Sequence, residues 1–235
     1  MSPASKIIIA YDGSKYADIA LTDLRHAGLG QKVQARVVTI VDPWIPPIES
    51  VAVASDVLFA GAYAMASGQT RNALKEAKAL AEKGAALVRT DFPEWNVSAS
   101  AVLDSPAQGI LNAAEKWKPM MIVLGSQGHT ALENLLLGSV SHKVLTHATC
   151  NVRVARGTPA RIAASPRILL AVDGSKDAQA MVQCVANRSW ERDAEFRLIV
   201  VLDYKLSRIQ DFQTAATEKK RSHNRSPFQE GLPWV

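Results

Sequence analysis

The amino-acid sequence predicts an α/β protein, a doubly wound five-stranded parallel sheet followed by an incomplete second copy of the same unit. Three observations carry that expectation. Short β-branched apolar runs alternate with segments of helical periodicity along the first two thirds of the chain. The segment Lys6-Ile-Ile-Ile-Ala-Tyr-Asp-Gly-Ser-Lys15 returns as Arg167-Ile-Leu-Leu-Ala-Val-Asp-Gly-Ser-Lys176, an offset of 161 residues. The same offset lays Val37-Val-Thr-Ile-Val41 over Leu198-Ile-Val-Val-Leu202 without an insertion.

Taken in order, Ile7 to Tyr11 is short, apolar and β-branched, as a strand buried on both faces should be. Asp12-Gly-Ser14 interrupts it, and Asp12 or Ser14 can cap a helix reaching about Gly28. Val33 to Val41 reads as the second strand, and Pro43-Trp-Ile-Pro-Pro47 as a loop. A long helix is expected over about Ala66 to Thr90, with Ala73, Leu74, Ala77, Leu80, Ala81 and Leu87 near 3.6 spacing. Val97 to Leu103 is the third strand. Ser105-Pro106 places a cap residue before a proline, a strong helix start, and that helix runs to Trp117. Met120 to Leu124 is the fourth strand, Ser139 to Thr146 lies in a helix, and Val152 to Ala155 is the fifth strand.

The second copy ends at the equivalent of Leu74 and holds only strand, helix and strand. Such a piece is too small to bury a core alone. Domains are therefore expected at 1–156 and, in part, at 167–203, joined by a Gly-, Pro- and Ser-containing linker at 157–166. Residues 204–235 are polar and aperiodic, which favours an irregular or disordered tail.

Composition narrows the function classes. With 48% hydrophobic and 21% charged residues the chain can bury a sizeable core. No apolar run approaches the ~20 residues of a membrane span, and the first residues lack the apolar run of a signal peptide. Cys150 and Cys184 have neither metal-ligand nor redox spacing, which suits a reducing cytosol, so a cytoplasmic location is expected. Much of the net charge of +5 sits after Tyr204, where six basic residues face three acids. The body is nearly balanced and has no basic stripe with interleaved aromatics, so neither nucleic acid nor membrane is an expected partner.

In a doubly wound sheet the ligand lies beyond the carboxyl ends of the strands, where the winding reverses. There the sequence reads Gly125-Ser-Gln-Gly128, nine residues, then Gly138-Ser139-Val140-Ser141 at a helix start. Glycines leave backbone N–H groups unobstructed and allow positive φ. The free N–H groups and positive end of the helix attract the same anion, and the Ser139 and Ser141 hydroxyls could add donors. A strand-to-helix loop that needs glycine only for turning is the plainer alternative.

The pattern Gly-x2-Gly-x9-Gly-Ser, met by Gly125, Gly128, Gly138 and Ser139, resembles the ATP-binding branch of the universal stress proteins. The segments opening at Ile7 and Arg167 are similar to that family's first strand. The resemblance implies strand order 3-2-1-4-5, an adenine nucleotide alpha hydrolase-like fold, and dimerisation through the fifth strand as a homo-oligomer. It also implies ATP, with Mg2+, bound without a well-defined reaction. By position it puts Ala10 and Ile40 on adenine, Asp12 by the ribose, and Gly125, Gly128, Gly138, Ser139, Val140 and Ser141 on the phosphates. Gln127 and His129 flank the loop within reach of phosphate or magnesium. Ala10 departs from the proline frequent in ATP-binding relatives.

Each side chain also has a plainer role. Asp12 can be a turn residue, His129 a solvated loop histidine, Cys150 a small packing group, and Trp44 and Trp95 packing aromatics. His142 and His147 are five apart and do not share a helix face as paired metal ligands would. Three functions compete: a nucleotide-dependent regulatory or stress-response module with an unknown signalling partner, a weak ATPase, and a dimeric stress protein that binds no nucleotide. There is no Gly-Lys-Ser/Thr phosphate loop, and nothing orients Glu133 as a base. The sequence therefore favours binding over catalysis, with slow ATP hydrolysis at most.

Overall fold

A computed structural model of the chain describes residues 5–43, 56–128, 137–157 and 165–201, with the side chains of 56–67 excluded. Two compact units divide it after Pro166.

In the first unit, β1 (Ser5–Ala10), β2 (Val33–Val41), β3 (Asn96–Leu103), β4 (Met121–Gly125) and β5 (Asn151–Ala155) form one sheet in the order β3-β2-β1-β4-β5, with every pairing parallel. Among the described residues four helices cover it: α1 (Lys15–Asp23), α2 (Asp56–Asp91), α3 (Pro106–Trp117) and α4 (Ser139–His147). Side chains alternate across a strand, so β1 serves two cores. Ile7, Ile9 and Tyr11 pack with Ala17, Leu21, Leu24, Ala81, Ala85 and Val88 of the α1/α2 layer. Ile8 packs with Ile110, Ala114 and Val144 of the α3/α4 layer. Thus β1 hands the chain to one face and β4 hands it to the other, which places the switch point between them.

Two helices differ from the sequence reading. The helix α2 begins at Asp56, ten residues before the expected Ala66, because uncharged Ala- and Gly-containing sequence propagates a helix without displaying periodicity. Its buried stripe is Ala77, Ala81, Ala85 and Val88, while Leu87 is 45% exposed. Small residues let this helix lie close to the sheet, and a Cβ added to Gly84 would sit 2.8 Å from the Tyr11 ring. The helix α1 stops at Asp23, and a 3-10 turn, Leu24–His26, carries the chain towards Gly28. Trp95 is buried and stacks on Phe92 at 4.0 Å, a packing role. Trp44 and the Pro43–Pro47 loop lie, apart from Pro43, outside the described residues.

Tyr11 ties the end of β1 to its surroundings. Its hydroxyl donates to Asp18 Oδ1 at 2.7 Å, and its carbonyl accepts from Thr39 Oγ1 at 2.7 Å. Burial, the Asp18 hydrogen bond and the Asp18 and Asp12 charges hold the phenol protonated far above its ordinary 10.0. An unfolded chain ionises this group from about pH 10 while the fold resists, so folded-state stability falls as pH rises through that range. In urea titrations, Tyr11→Phe is expected to flatten this alkaline loss. An alkaline slope as steep as the wild type's would show that Tyr11 does not produce it.

The second unit holds β6 (Arg167–Ala171), α5 (Lys176–Ala186) and β7 (Glu195–Ile199), with the two strands parallel. The strand β7 falls within residues 194–202, the 161-residue image of the expected second strand Val33 to Val41. Its internal geometry repeats the first unit's. Arg167 faces Glu195 as Lys6 faces Gln34, the 161-residue image in both members. Ser14 and Ser175 cap their helices by accepting from Ala17 N–H and Ala178 N–H. Asp12 and Asp173 accept from Ser14 N–H and Ser175 N–H, around Gly13 and Gly174 at φ 76° and 84°. Burial does not repeat. Leu169 and Leu198 are 64% and 65% exposed, and Leu170 is the one buried hydrophobic residue among those described in this unit. Residues 202–235, including the expected tail, lie outside the described residues.

Candidate functional site

A cleft of about 380 Å³ opens at the carboxyl ends of β1 and β4, at the switch point where such sheets bind ligands. Ten of the eleven residues singled out by sequence line it: Ala10, Asp12, Ile40, Gly125, Gln127, Gly128, Gly138, Ser139, Val140 and Ser141. The eleventh, His129, lies outside the described residues, as does Glu133.

The cleft has two chemically different ends. Ala10 at the end of β1, Val38 and Ile40 on β2, and Pro106 and Ile110 on α3 supply apolar surface without a side-chain hydrogen-bonding group. Asp12, Gln127, Gly128, Gly138 and Ser139 supply the polar part. Asp12 is exposed and acts as a turn residue, its Oδ1 accepting from Ser14 N–H at 3.0 Å. Its other oxygen faces Gly128, where an added Cβ would lie 2.8 Å from Oδ2 and would meet no other described residue within 4 Å.

The three loop glycines do not use positive φ, which corrects that expectation, and one of them, Gly125, is needed for space within the chain. None of them is among the positive-φ glycines. A Cβ on Gly125 would stand 2.6 Å from the Tyr16 carbonyl carbon and 2.7 Å from its oxygen, so β4 can end against α1 only with glycine there. Gly138 is different. An added Cβ would be 3.4 Å from Gln127 Cα, an ordinary contact, so packing within the chain does not demand glycine.

Gly138 is the N-cap of α4 and has no side chain to cap it. The first-turn N–H groups of Ser139, Val140 and Ser141 lack intrahelical partners, and all three residues line the cleft. They give that end a partial positive charge. The loop is anchored by Gly138 N–H to Ser126 O at 2.8 Å and Ser126 N–H to Ala155 O at 2.8 Å. The Ser141 hydroxyl is buried and donates to Gly125 O at 2.8 Å. Its proton therefore braces β4 against α4, whereas the exposed Ser139 hydroxyl remains available as a donor. Ser141→Ala is expected to cost about 1 to 2 kcal/mol in chemical denaturation through the unmet Gly125 carbonyl. An unchanged midpoint would remove that bracing role.

Residues that the sequence reading missed are Tyr11, Ala17, Val38, Pro106, Ile110 and Leu124. Pro106 was legible as a helix start, but its position over the end of β2 depends on tertiary packing. Among the described residues no group of three or more His, Cys, Asp or Glu side chains could hold a metal ion. No described helix is long and apolar enough to cross a membrane.

A profile of the universal stress protein family matches residues 3–156. Universal stress protein MJ0531 of Methanocaldococcus jannaschii is 32% identical over 158 residues, spanning 64% of this chain and 81% of that one. Among solved structures, hypothetical protein MJ0577 matches at TM-score 0.51 and 24% identity over 66% of this chain and 96% of its own. A universal stress protein from Archaeoglobus fulgidus matches at TM-score 0.52 and 18% identity, over 93% of this chain and 73% of its own. At these identities the two structures bear on the fold alone, and both agree with the parallel sheet described above.

Proposed function

The chain belongs to the universal stress protein family, and from that premise we propose that it binds ATP and serves as a nucleotide-dependent regulatory module in stress response. The observation that supports this reading best is the division of the cleft into an apolar end and an end rich in backbone N–H groups. A nucleotide has the same division. Adenine would be held by Ala10, Val38, Ile40, Pro106 and Ile110, and the ribose hydroxyls by Asp12. The phosphates would lie along Gly125, Gln127 and Gly128 and at the first turn of α4, from Gly138 and Ser139 through Val140 and Ser141, with His129 flanking. The residues present fit such a group. Among the described residues only Asp12 crowds Gly128, and the helix start offers uncapped donors. Mg2+ would ride on the phosphates rather than in a protein cage.

Binding rather than turnover follows from the same residues. Phosphoryl transfer is sped by a positioned base or water-orienting group and by bound metal, and no described side chain in the cleft is held for either task. Hydrolysis would be slow. Regulation would then act through occupancy, which stabilises the folded first unit by mass action and alters what a signalling partner meets. The outer edge of β5, the last strand of the sheet, is the proposed homodimer contact, and the cytoplasm the proposed location. The Gly-x2-Gly loop occurs once, so one nucleotide per chain is expected. Chromatography of small molecules released by denaturing the purified protein tests the reading. Adenine nucleotide is the expected result; no nucleotide, combined with no uptake of added ATP, would contradict it.

A further inference from the structure

The apolar end of the cleft is shaped by a residue outside the glycine loop. Gly109 is the fourth residue of α3 and is buried where the helix lies on β2. A Cβ placed there would stand 2.9 Å from both Cδ1 and Cγ2 of Ile40 and 3.1 Å from Asp104 Cβ. Such separations are well inside van der Waals contact, so something would have to give. Asp104 is held on three sides. Its N–H donates to Val41 O at 3.0 Å, Oδ1 accepts from Ser105 N–H at 2.7 Å, and Oδ2 accepts from Asn112 Nδ2 at 2.8 Å. Ile40 is only partly buried and lines the cleft, so it is the neighbour that can move.

We propose that Gly109 is a positioning residue for base size: by letting α3 sit directly on Ile40, it keeps the apolar end wide enough for a purine. This rests on the nucleotide reading of the cleft and deepens it. No described side chain at that end can hydrogen-bond a base, so among the described residues discrimination there falls to shape and to backbone groups. A methyl at position 109 drives Ile40 into the space a bicyclic base needs. A smaller pyrimidine ring loses less. Helix propensity gives the opposite sign, because alanine is preferred to glycine inside a helix.

The test is a calorimetric comparison of Mg-ATP and Mg-UTP with wild type, Gly109→Ala, Ile40→Val and the double variant, each checked by circular dichroism. Gly109→Ala is expected to weaken ATP about tenfold and UTP by less than about threefold, lowering the ATP/UTP preference. Ile40→Val removes Cδ1, one of the two Ile40 atoms that the added methyl would crowd, so the double variant is expected to recover part of the wild-type preference. An unchanged preference in Gly109→Ala, or a double variant whose preference is no nearer the wild type's than that of Gly109→Ala, overturns the role of Gly109 alone. Wild type that binds neither nucleotide overturns the reading of the cleft together with this inference.

Discussion

Replacing Gly125 by alanine is expected to cost about 3 kcal/mol of folding stability, and occasionally more, because it overpacks a backbone contact. The added methyl would lie 2.6 to 2.8 Å from the Tyr16 carbonyl carbon, carbonyl oxygen and Cβ. Two of those atoms belong to the main chain of α1, just after its Ser14 cap, so no rotamer change relieves the clash. Either β4 or α1 must shift. Both carry the core: Ile122, Val123 and Leu124 on one side, Ala17 and Ala20 on the other, all buried. For a domain with a total stability of roughly 5–15 kcal/mol, such a loss is severe. Urea denaturation followed by circular dichroism should show a much lower midpoint. A variant as stable as wild type would mean that the approach of β4 to α1 is not set by this glycine.

Gly128→Val is expected to act on binding and to spare the fold. Among the described residues the first carbon of the new side chain meets only the Asp12 carboxylate, and Gly128 lines the cleft. A carboxylate end can rotate aside, so the stability change should stay within about 0.5 kcal/mol, as at surface positions. The isopropyl group would then stand in the anion-facing end of the cleft and displace the carboxylate proposed to meet the ribose. ATP affinity should fall about a hundredfold, near 2.7 kcal/mol. The contrast with Gly125→Ala separates a glycine that the fold needs from one that the ligand needs. Equal effects of the two substitutions on stability would erase that distinction.

Much of the fold was legible because its strands are short apolar runs and its repeat is marked by an unmistakable string. Ile7-Ile-Ile9 had to be buried on both faces, and it feeds both cores. The 161-residue offset predicted a copied turn, and the two Asp-Gly-Ser turns match down to their caps. The start of α2 was not legible, since periodicity marks a helix only where polar and apolar faces differ. The glycine loop was visible by spacing, yet the expected positive φ was wrong: crowding by the Tyr16 main chain, not backbone dihedrals, singles out Gly125. Gly109 could not have been found at all. A glycine inside a helical pattern signals only a tolerated weakness, and its contact with Ile40 joins residues 69 apart in the chain. Pro106 and Ile110 entered the cleft for the same reason, through the docking of α3 on β2.

The central claim is that the cleft between the ends of β1 and β4 holds one ATP per chain. Isothermal titration of the intact chain with Mg-ATP, in parallel with Gly128→Val, tests it most directly. Saturable binding at one equivalent per chain, lost in the variant while its circular dichroism spectrum is retained, is the predicted result. No heat at millimolar nucleotide, or equal binding by the variant, would contradict it.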